Sequence, residues 1–222
     1  MVPAVLSEVR PRFDALQRSS ALTRTFYRMY RPGLAAMTPE EVIPILNAAN
    51  VKFVVMGTHG VGAWKEEPRS TDDVDFLITK RDHAKAIKVV QQAFPTLEIR
   101  DLPAVTRFYD PEKKFVVIDL MKPIAAVYQA VFRNTVPAGR TYRIPDLEMS
   151  LVTKFAAMIA PERTSKKKHL DAADFTDIVQ ENYDMIDQAK LRRLAEKIDS
   201  GCGVKIMEYL EDARSGRPLK LY

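Results

Sequence analysis

The sequence predicts an α/β (α+β) protein in which a small mixed sheet, flanked by helices, precedes an all-helical C-terminal part. The first observation is a set of short apolar runs rich in Val, Ile and Phe, at residues 51–56, 73–79 and 115–121. Runs of this length and composition are typical of buried strands. The second observation is that apolar residues after Ile124 recur mostly at helical spacing.

Three parts are expected along the chain, with boundaries at residues 1–37, 38–140 and 141–222. The first is basic and aromatic and ends at Pro32-Gly33, which predicts one or two short helices or a loose arm packed on the body. The second holds the apolar runs and is expected to be the α/β domain. The third is expected to be the helical domain, and the change between them falls near residues 137–145.

Individual elements have their own signals. Thr38-Pro39-Glu40-Glu41 predicts a helix start, because it combines an N-cap hydroxyl, a proline in the first turn and a glutamate at N3. A short helix through Trp64 is expected after the first strand. The remaining elements before Ile124 are a helix, two strands and a turn, at residues 82–94, 97–100, 105–109 and 111–114. Helices are then expected at residues 124–133, 146–160, 167–181, 186–198 and 203–214.

Composition excludes several classes of protein. The chain has 222 residues, 46% of them hydrophobic, and lacks an apolar run of the length that crosses a bilayer. A single cysteine and three scattered histidines exclude an internal disulfide and disfavour a zinc site, so a reducing, cytoplasmic location is expected.

The net charge of +5 favours anionic partners. The basic run Lys166-Lys167-Lys168-His169 is interpreted as a solvated helix start or loop in preference to a nucleic-acid patch.

The strongest chemical signal is a pair of carboxylates in the second apolar run. Asp73 and Asp75 are two residues apart in a predicted strand, so their side chains project from the same face. Like charges held this close raise each other's pKa, and a hard divalent cation such as Mg²⁺ removes the conflict. Gly57-Thr58-His59-Gly60, a glycine turn, precedes the pair, and the combination suggests phosphate chemistry.

A third carboxylate lies in the middle of the last apolar run. Asp119 would be costly there without a partner. One interpretation is a structural pair with an arginine. The other is that a neighbouring strand brings Asp119 to the same metal cluster as Asp73 and Asp75.

These residues resemble the pattern of the nucleotidyltransferase superfamily, the polymerase-β-like fold. The pattern is a strand, a Gly-Gly or Gly-Ser turn, an Asp-x-Asp strand and a later single Asp, and here it falls on Gly57-Thr58, Asp73-Val74-Asp75 and Asp119. The Arg69-x-Thr71-x-Asp73-Val74-Asp75 form looks most like minimal nucleotidyltransferases and nucleotidyltransferase-like abortive-infection toxins. The resemblance covers roughly residues 40 to 180, and Thr58 stands where the family has a second Gly or Ser.

The resemblance implies an NTP-dependent nucleotidyltransferase that uses two Mg²⁺ ions and releases pyrophosphate. Asp73, Asp75 and Asp119 would be the catalytic residues and the metal ligands, with Asp119 on the metal that activates the acceptor hydroxyl. Nucleotide binding is expected to involve Gly57, Thr58, Arg69 and Lys154. ATP is one candidate substrate, and the acceptor, a hydroxyl or a phosphate, would belong to a small molecule, a protein or a tRNA end. The rival interpretation is a non-catalytic binding protein of the same fold, such as an antitoxin or another toxin–antitoxin partner.

Several side chains near the motif have two interpretations. Lys154 lies on the apolar stripe of its helix, so it needs an anion, which is either a bound triphosphate or Asp174. Arg69 either contacts phosphate or forms a structural salt bridge. Asp72 breaks the strand alternation and is interpreted as a turn or surface residue. His59 is interpreted as a packed turn residue in preference to a catalytic base.

Overall fold

The computed structural model describes residues 15–221, and the predicted N-terminal arm lies partly outside these residues. Within them the arm contributes α1, Ala15–Tyr30, whose Ser19, Ser20, Thr23 and Tyr27 side chains are buried. The other helices are α2 (Pro39–Ala48), α3 (Gly57–Val61), α4 (His83–Ala93), α5 (Ala126–Val131), α6 (Leu147–Ile159), α7 (Ser165–Asn182), α8 (Gln188–Ala195) and α9 (Cys202–Arg214). The strands are β1 (Phe53–Val55), β2 (Val74–Ile78), β3 (Glu98–Asp101), β4 (Val105–Asp110), β5 (Phe115–Met121), β6 (Thr135–Pro137) and β7 (Arg143–Pro145).

Five of the strands form one mixed sheet in the order β1-β2-β5-β4-β3, in which β2 and β5 are parallel and the other neighbours are antiparallel. The predicted fold class is therefore confirmed. The centre of the sheet is fully buried, since Val74, Phe76 and Ile78 of β2 have no exposed surface. These β-branched and aromatic side chains fit a pleated, packed surface.

The second sheet is a hairpin of β6 and β7 that the sequence pattern does not predict. It lies where the change to the helical part is expected, and β7 falls within the part predicted to be all helical. Each of its strands has three residues and ends in a proline, Pro137 or Pro145, so neither gives a period of two that can be read from the sequence. Other boundaries are also shorter than predicted; the helix expected at residues 124–133 is confined to α5, and the strand expected at 51–56 is confined to β1.

Helices α6 to α9 complete the molecule and share its hydrophobic core, with Leu151, Phe155, Phe175, Ile178 and Leu210 fully buried. The helical part is tied to the loop that precedes β2, because Asn182 Nδ2 donates to the Trp64 carbonyl at 2.8 Å. Trp64 Nε1 in turn donates to the Pro145 carbonyl at 3.1 Å. Among the described residues, no helix combines the length and the apolar character that crossing a membrane requires.

Candidate active site

Three carboxylates meet at one edge of the central strands. One oxygen each from Asp73, Asp75 and Asp119 can be chosen so that all three lie within 4.8 Å of one another. Asp73 immediately precedes β2, Asp75 is the second residue of β2, and Asp119 is on β5. The sequence prediction that these acids converge is therefore matched by their positions.

The register of the sheet explains the convergence. Parallel pairing of β2 with β5 sets Asp75 directly beside Asp119. Side chains alternate along a strand, so Asp73 lies on the same face as Asp75. Thr71 Oγ1 donates a hydrogen bond to Asp73 Oδ1 at 2.7 Å and orients that carboxylate. Among the described residues, no side chain donates a comparable hydrogen bond to Asp75 or Asp119.

Burial and mutual repulsion shift the acid–base behaviour of the cluster. Burial raises the pKa of the Asp75 carboxyl well above its ordinary range, and the charges of Asp73 and Asp119 add to this effect. Burial also raises the pKa of Asp119 to about 6, against the opposing charge of Arg107. Both carboxyl groups hold protons more tightly than an exposed aspartate because burial removes the water that stabilises their anionic forms.

Asp119 has an arginine beside it but is not neutralised within the core. Antiparallel pairing of β4 with β5 sets Arg107 opposite Asp119, and Arg107 Nε lies 3.5 Å from Asp119 Oδ1. Both of these atoms are buried, and neither has a hydrogen-bond partner among the described residues. The Arg107 side chain is 40% exposed. Asp119 therefore has an ion-pair partner in Arg107 and also lies within the cluster of Asp73 and Asp75, so the geometry contains the contacts of both interpretations.

The glycine turn lies against the acids. Gly57 has φ +59°, a left-handed conformation that a residue with a Cβ adopts only at a cost. A Cβ at this position would also overlap the Asp75 carboxylate. Gly57 therefore meets two demands at once, the tight turn from β1 into α3 and the close approach of backbone to Asp75.

All seven predicted site residues line one cleft between the sheet and the helical part, namely Gly57, Thr58, Arg69, Asp73, Asp75, Asp119 and Lys154. The cleft also has walls outside these seven residues. These are, among others, Arg107, Met121, Tyr128, Ala157, Arg163, Lys167, Leu170 and Asp171. Most of them come from elements far from the motif in sequence, so only the folded chain brings them together.

Lys154 has the structural partner that one interpretation proposed. Its Nζ donates to Asp174 Oδ2 at 2.7 Å and to Asp171 Oδ1 at 3.0 Å, and the lysine is only 5% exposed. Asp174 also accepts from Lys65 at 2.9 Å and from Arg69 at 3.1 Å. We call this set the buried ion network; its members are Lys65, Arg69, Lys154, Arg163, Asp171, Asp174 and Asp177. Its cations lower the pKa of Asp174 despite the burial of that group, which acts in the opposite direction.

Two other ambiguous residues lie outside the cleft lining. Asp72 is paired with Arg31 at 2.9 Å and accepts from the Tyr27 hydroxyl, so it anchors α1. His59 is 1% exposed, and neither ring nitrogen has a hydrogen-bond partner among the described residues. Burial lowers its pKa to about 4. His59 is therefore a packed residue of α3, as interpreted from the sequence.

The carboxylate cluster has the chemistry of a divalent metal site. Its donors are all carboxylate oxygens, which Mg²⁺ prefers. One of them, Asp119 Oδ1, is buried with no hydrogen bond among the described residues, so an acceptor oxygen of the cluster is left for a ligand. The donor set of Asp73, Asp75 and Asp119 therefore fits Mg²⁺.

No family model and no curated protein matches the chain. Among solved structures, it is similar to an antigenic nucleotidyltransferase-like protein from Paracoccidioides brasiliensis, at 17% identity and a TM-score of 0.44 over 82% of this chain and 96% of the other. It is also similar to terminal uridylyl transferase 4 from Trypanosoma brucei with bound GTP, at 13% identity and a TM-score of 0.34 over 90% of this chain and 71% of the other.

The same uridylyl transferase with bound CTP gives 16% identity and a TM-score of 0.33 over 76% of this chain. In that match the chain spans 58% of the other protein's length. Overall similarity of this degree supports no function, and the geometry of the carboxylates is the basis for the proposed one.

Proposed function

We propose that the protein is a Mg²⁺-dependent nucleotidyltransferase that moves a nucleoside monophosphate from an NTP to an acceptor hydroxyl or phosphate. The observation that carries the proposal is the convergence of Asp73, Asp75 and Asp119 within 4.8 Å, with no hydrogen bond to them from a cationic side chain among the residues that the structure describes. A cluster that is costly to the folded protein without a ligand is a candidate site for that ligand.

The three acids would hold the metal ions in the roles that the resemblance implies. Asp73 and Asp75 would hold metal ions at the triphosphate, and Asp119 would hold the ion on the acceptor side. A pair of Mg²⁺ ions supplies positive charge to both the attacking and the leaving oxygen of an in-line displacement. The Gly57-Thr58 turn would present backbone N–H groups to the triphosphate, where the absence of a Cβ on Gly57 permits close approach.

The reaction forms one bond and breaks one. The acceptor oxygen bonds to the α-phosphorus, and the bond from that phosphorus to the β-phosphate bridging oxygen breaks, so the electron pair leaves with pyrophosphate. The proton of an acceptor hydroxyl passes to a base. Asp119, which lies within the cluster, would take it as the general base.

Arg69 and Lys154 would assist at the triphosphate from within the buried ion network. Each already donates to Asp174, so each would offer the phosphate only those N–H groups that the network leaves. Both line the cleft, and Lys154 is held almost without exposure. They therefore serve the structure and are positioned to serve the site.

The test is NTP binding measured by calorimetry with and without Mg²⁺, on wild type and on Asp73→Ala. The proposal expects binding that requires Mg²⁺ and is lost in the variant. Asp72→Ala is the matched control, since it removes the adjacent carboxylate, which pairs with Arg31 outside the cleft lining. NTP binding that requires neither Mg²⁺ nor the Asp73 carboxylate would favour the non-catalytic alternative, a binding partner of the toxin–antitoxin type.

The acceptor is sought with labelled NTPs. Incubation of the purified protein with each labelled NTP and total tRNA, followed by gel electrophoresis, detects transfer to a nucleic-acid end. Label that appears on the protein or on a small molecule identifies the other acceptor classes. Pyrophosphate release without labelled RNA would direct the search to those acceptors.

A further inference from the structure

Two cations flank Asp119 from different parts of the chain. Arg107 comes from β4, next to Asp119 in the sheet, and Lys167 comes from the first turn of α7. Both line the cleft. Lys167 is exposed, and the Arg107 side chain is 40% exposed.

These two cations differ from the other cations of the cleft. Arg69, Lys154 and Arg163 donate hydrogen bonds to Asp171 or Asp174, and so belong to the buried ion network. Within the part of the chain that the structure describes, Arg107 and Lys167 hydrogen-bond no carboxylate; the nearest approach is the 3.5 Å from Arg107 Nε to Asp119 Oδ1. Their donors are therefore available to a ligand.

The position of Arg107 on the sheet indicates which part of the reaction the two cations face. The strand order β1-β2-β5-β4 sets the Gly57 turn, at the end of β1, on one side of the acids and Arg107, on β4, on the other. In an in-line displacement the attacking and leaving groups lie on opposite sides of the transferred phosphorus. If the leaving pyrophosphate lies at the Gly57-Thr58 turn, the acceptor approaches over β5 and β4.

We propose that Arg107 and Lys167 form an anion subsite on the acceptor side, which binds a phosphate next to the reacting hydroxyl. The inference rests on the proposed function and names the acceptor as a phosphorylated compound. The planar guanidinium of Arg107 suits two oxygens of a phosphate, and Lys167 adds a second charge from the facing helix. A cationic acceptor is disfavoured by the same two charges.

The test uses protein that already holds Mg²⁺ and the α,β-methylene analogue of the NTP that it binds, so that the triphosphate position is filled. Calorimetry then compares three probes: adenosine, AMP and the dinucleotide ApA. AMP and ApA are expected to bind at least about tenfold more tightly than adenosine. A preference for AMP indicates a small phosphorylated acceptor, and a preference for ApA indicates the end of a nucleic acid.

Charge-removing variants assign the preference to the two residues. Arg107→Gln and Lys167→Gln are each expected to reduce the advantage of the phosphorylated probe about tenfold, with adenosine and analogue binding unchanged. Arg100→Gln and Lys166→Gln are matched controls. Arg100 lies one strand beyond Arg107, where it stacks on Tyr109 and lies 3.5 Å from Glu98, and Lys166 precedes Lys167 in the same helix. Both controls should keep the advantage.

Three results would overturn the subsite. AMP and ApA could fail to exceed adenosine, the advantage could survive in both variants, or the variants could lose the analogue and the acceptor probe equally. A wild type that binds the analogue in a Mg²⁺-dependent manner but shows no phosphate preference overturns the subsite alone. A wild type that does not bind the analogue in that manner overturns the proposed function as well.

Discussion

Two groups of aspartates in this protein have opposite environments. Asp73, Asp75 and Asp119 lie together at the sheet, where Arg107, with its Nε 3.5 Å from Asp119 Oδ1, is the one cation in an ion pair with them among the described residues. Asp171 and Asp174 lie on α7, where four basic side chains donate hydrogen bonds to them. The pKa of Asp75 and of Asp119 is raised, whereas the pKa of Asp174 is lowered.

The difference separates scaffold from candidate site. A buried carboxylate that meets several cations is neutralised by the fold itself, and its removal leaves those cations unbalanced. A carboxylate cluster without such partners lowers the stability of the empty protein and is relieved by a bound cation. Charge balance therefore distinguishes two clusters that consist of the same residue type. Substitutions in each cluster test this distinction.

The largest effect is expected for Asp75→Asn on activity. Metal-held charge stabilisation contributes several kcal/mol to a phosphoryl displacement, so we expect nucleotidyl transfer to fall by about 10⁴-fold, equivalent to about 5 kcal/mol. The folded state should be retained, because the neutral side chain removes a repulsion. Pyrophosphate release and thermal unfolding measure the two effects, and Asp72→Asn is the control that should leave the activity intact. Normal activity of the Asp75→Asn protein would show that the carboxylate cluster is not the active site.

The corresponding change in the buried ion network should act on stability. Asp174→Asn leaves Lys65, Lys154 and Arg69 without their shared anion, and we expect the free energy of unfolding to fall by about 3–5 kcal/mol. Asp177→Asn is the matched control on the same helix. Asp177 is 45% exposed, so its ion pair with Lys65 should contribute less than about 1 kcal/mol. Equal effects of the two changes in urea unfolding would mean that the network does not depend on Asp174.

Substitution of Gly57 tests the contact between the turn and the acids. Gly57→Ala should cost about 1–2 kcal/mol from the left-handed backbone and should displace the Asp75 carboxylate, with a large loss of activity. Gly33→Ala is the control, because Gly33 has φ +87° but no atom within 4 Å of the added Cβ. It should show the backbone cost alone. If both variants keep full activity, the turn does not position Asp75.

The pH dependence of the free energy of unfolding should identify the acids whose ionised form destabilises the folded protein. The pKa of Asp119 is about 6 in the folded protein against an ordinary value of 3.8, so the folded state holds its proton more tightly between these values. Its contribution to stability is present below about pH 4 and is lost as the pH rises through about 6. Asp119→Asn should therefore raise the free energy of unfolding at pH 7 by about 1–2 kcal/mol and have little effect at pH 4. A destabilised variant at pH 7 would show that Asp119 is satisfied by Arg107.

Part of the site could be predicted from the sequence because its signals are local. Asp73 and Asp75 share a face through the alternation of one strand, and Gly57 marks a turn next to a strand. Asp119 is visible as an acid in an apolar run, but its place beside Asp75 depends on the parallel pairing of β2 with β5. The family resemblance implies that Asp119 joins the other two acids, but the parallel pairing itself is given only by the structure.

The rest depends on contacts between distant segments. Arg107 reaches Asp119 through the register of β4 with β5, and β4 has no motif that singles out an arginine. Lys65 binds Asp174 across more than a hundred residues. The competition for Lys154 between Asp174 and a phosphate could be stated from its apolar stripe, but only the packing of α6 on α7 shows that Asp171 joins the pair. The β6–β7 hairpin escapes prediction because three-residue strands give no period.

Metal binding is the most direct test of the unbalanced cluster. Crystals soaked in Mn²⁺, with data collected at the manganese absorption edge, locate the ion without reference to activity. The account predicts anomalous density at about 2 Å from oxygens of Asp73, Asp75 and Asp119, with Arg107 turned away from Asp119. Density at other carboxylates and none at these three, with Arg107 in hydrogen-bond contact with Asp119, would contradict it.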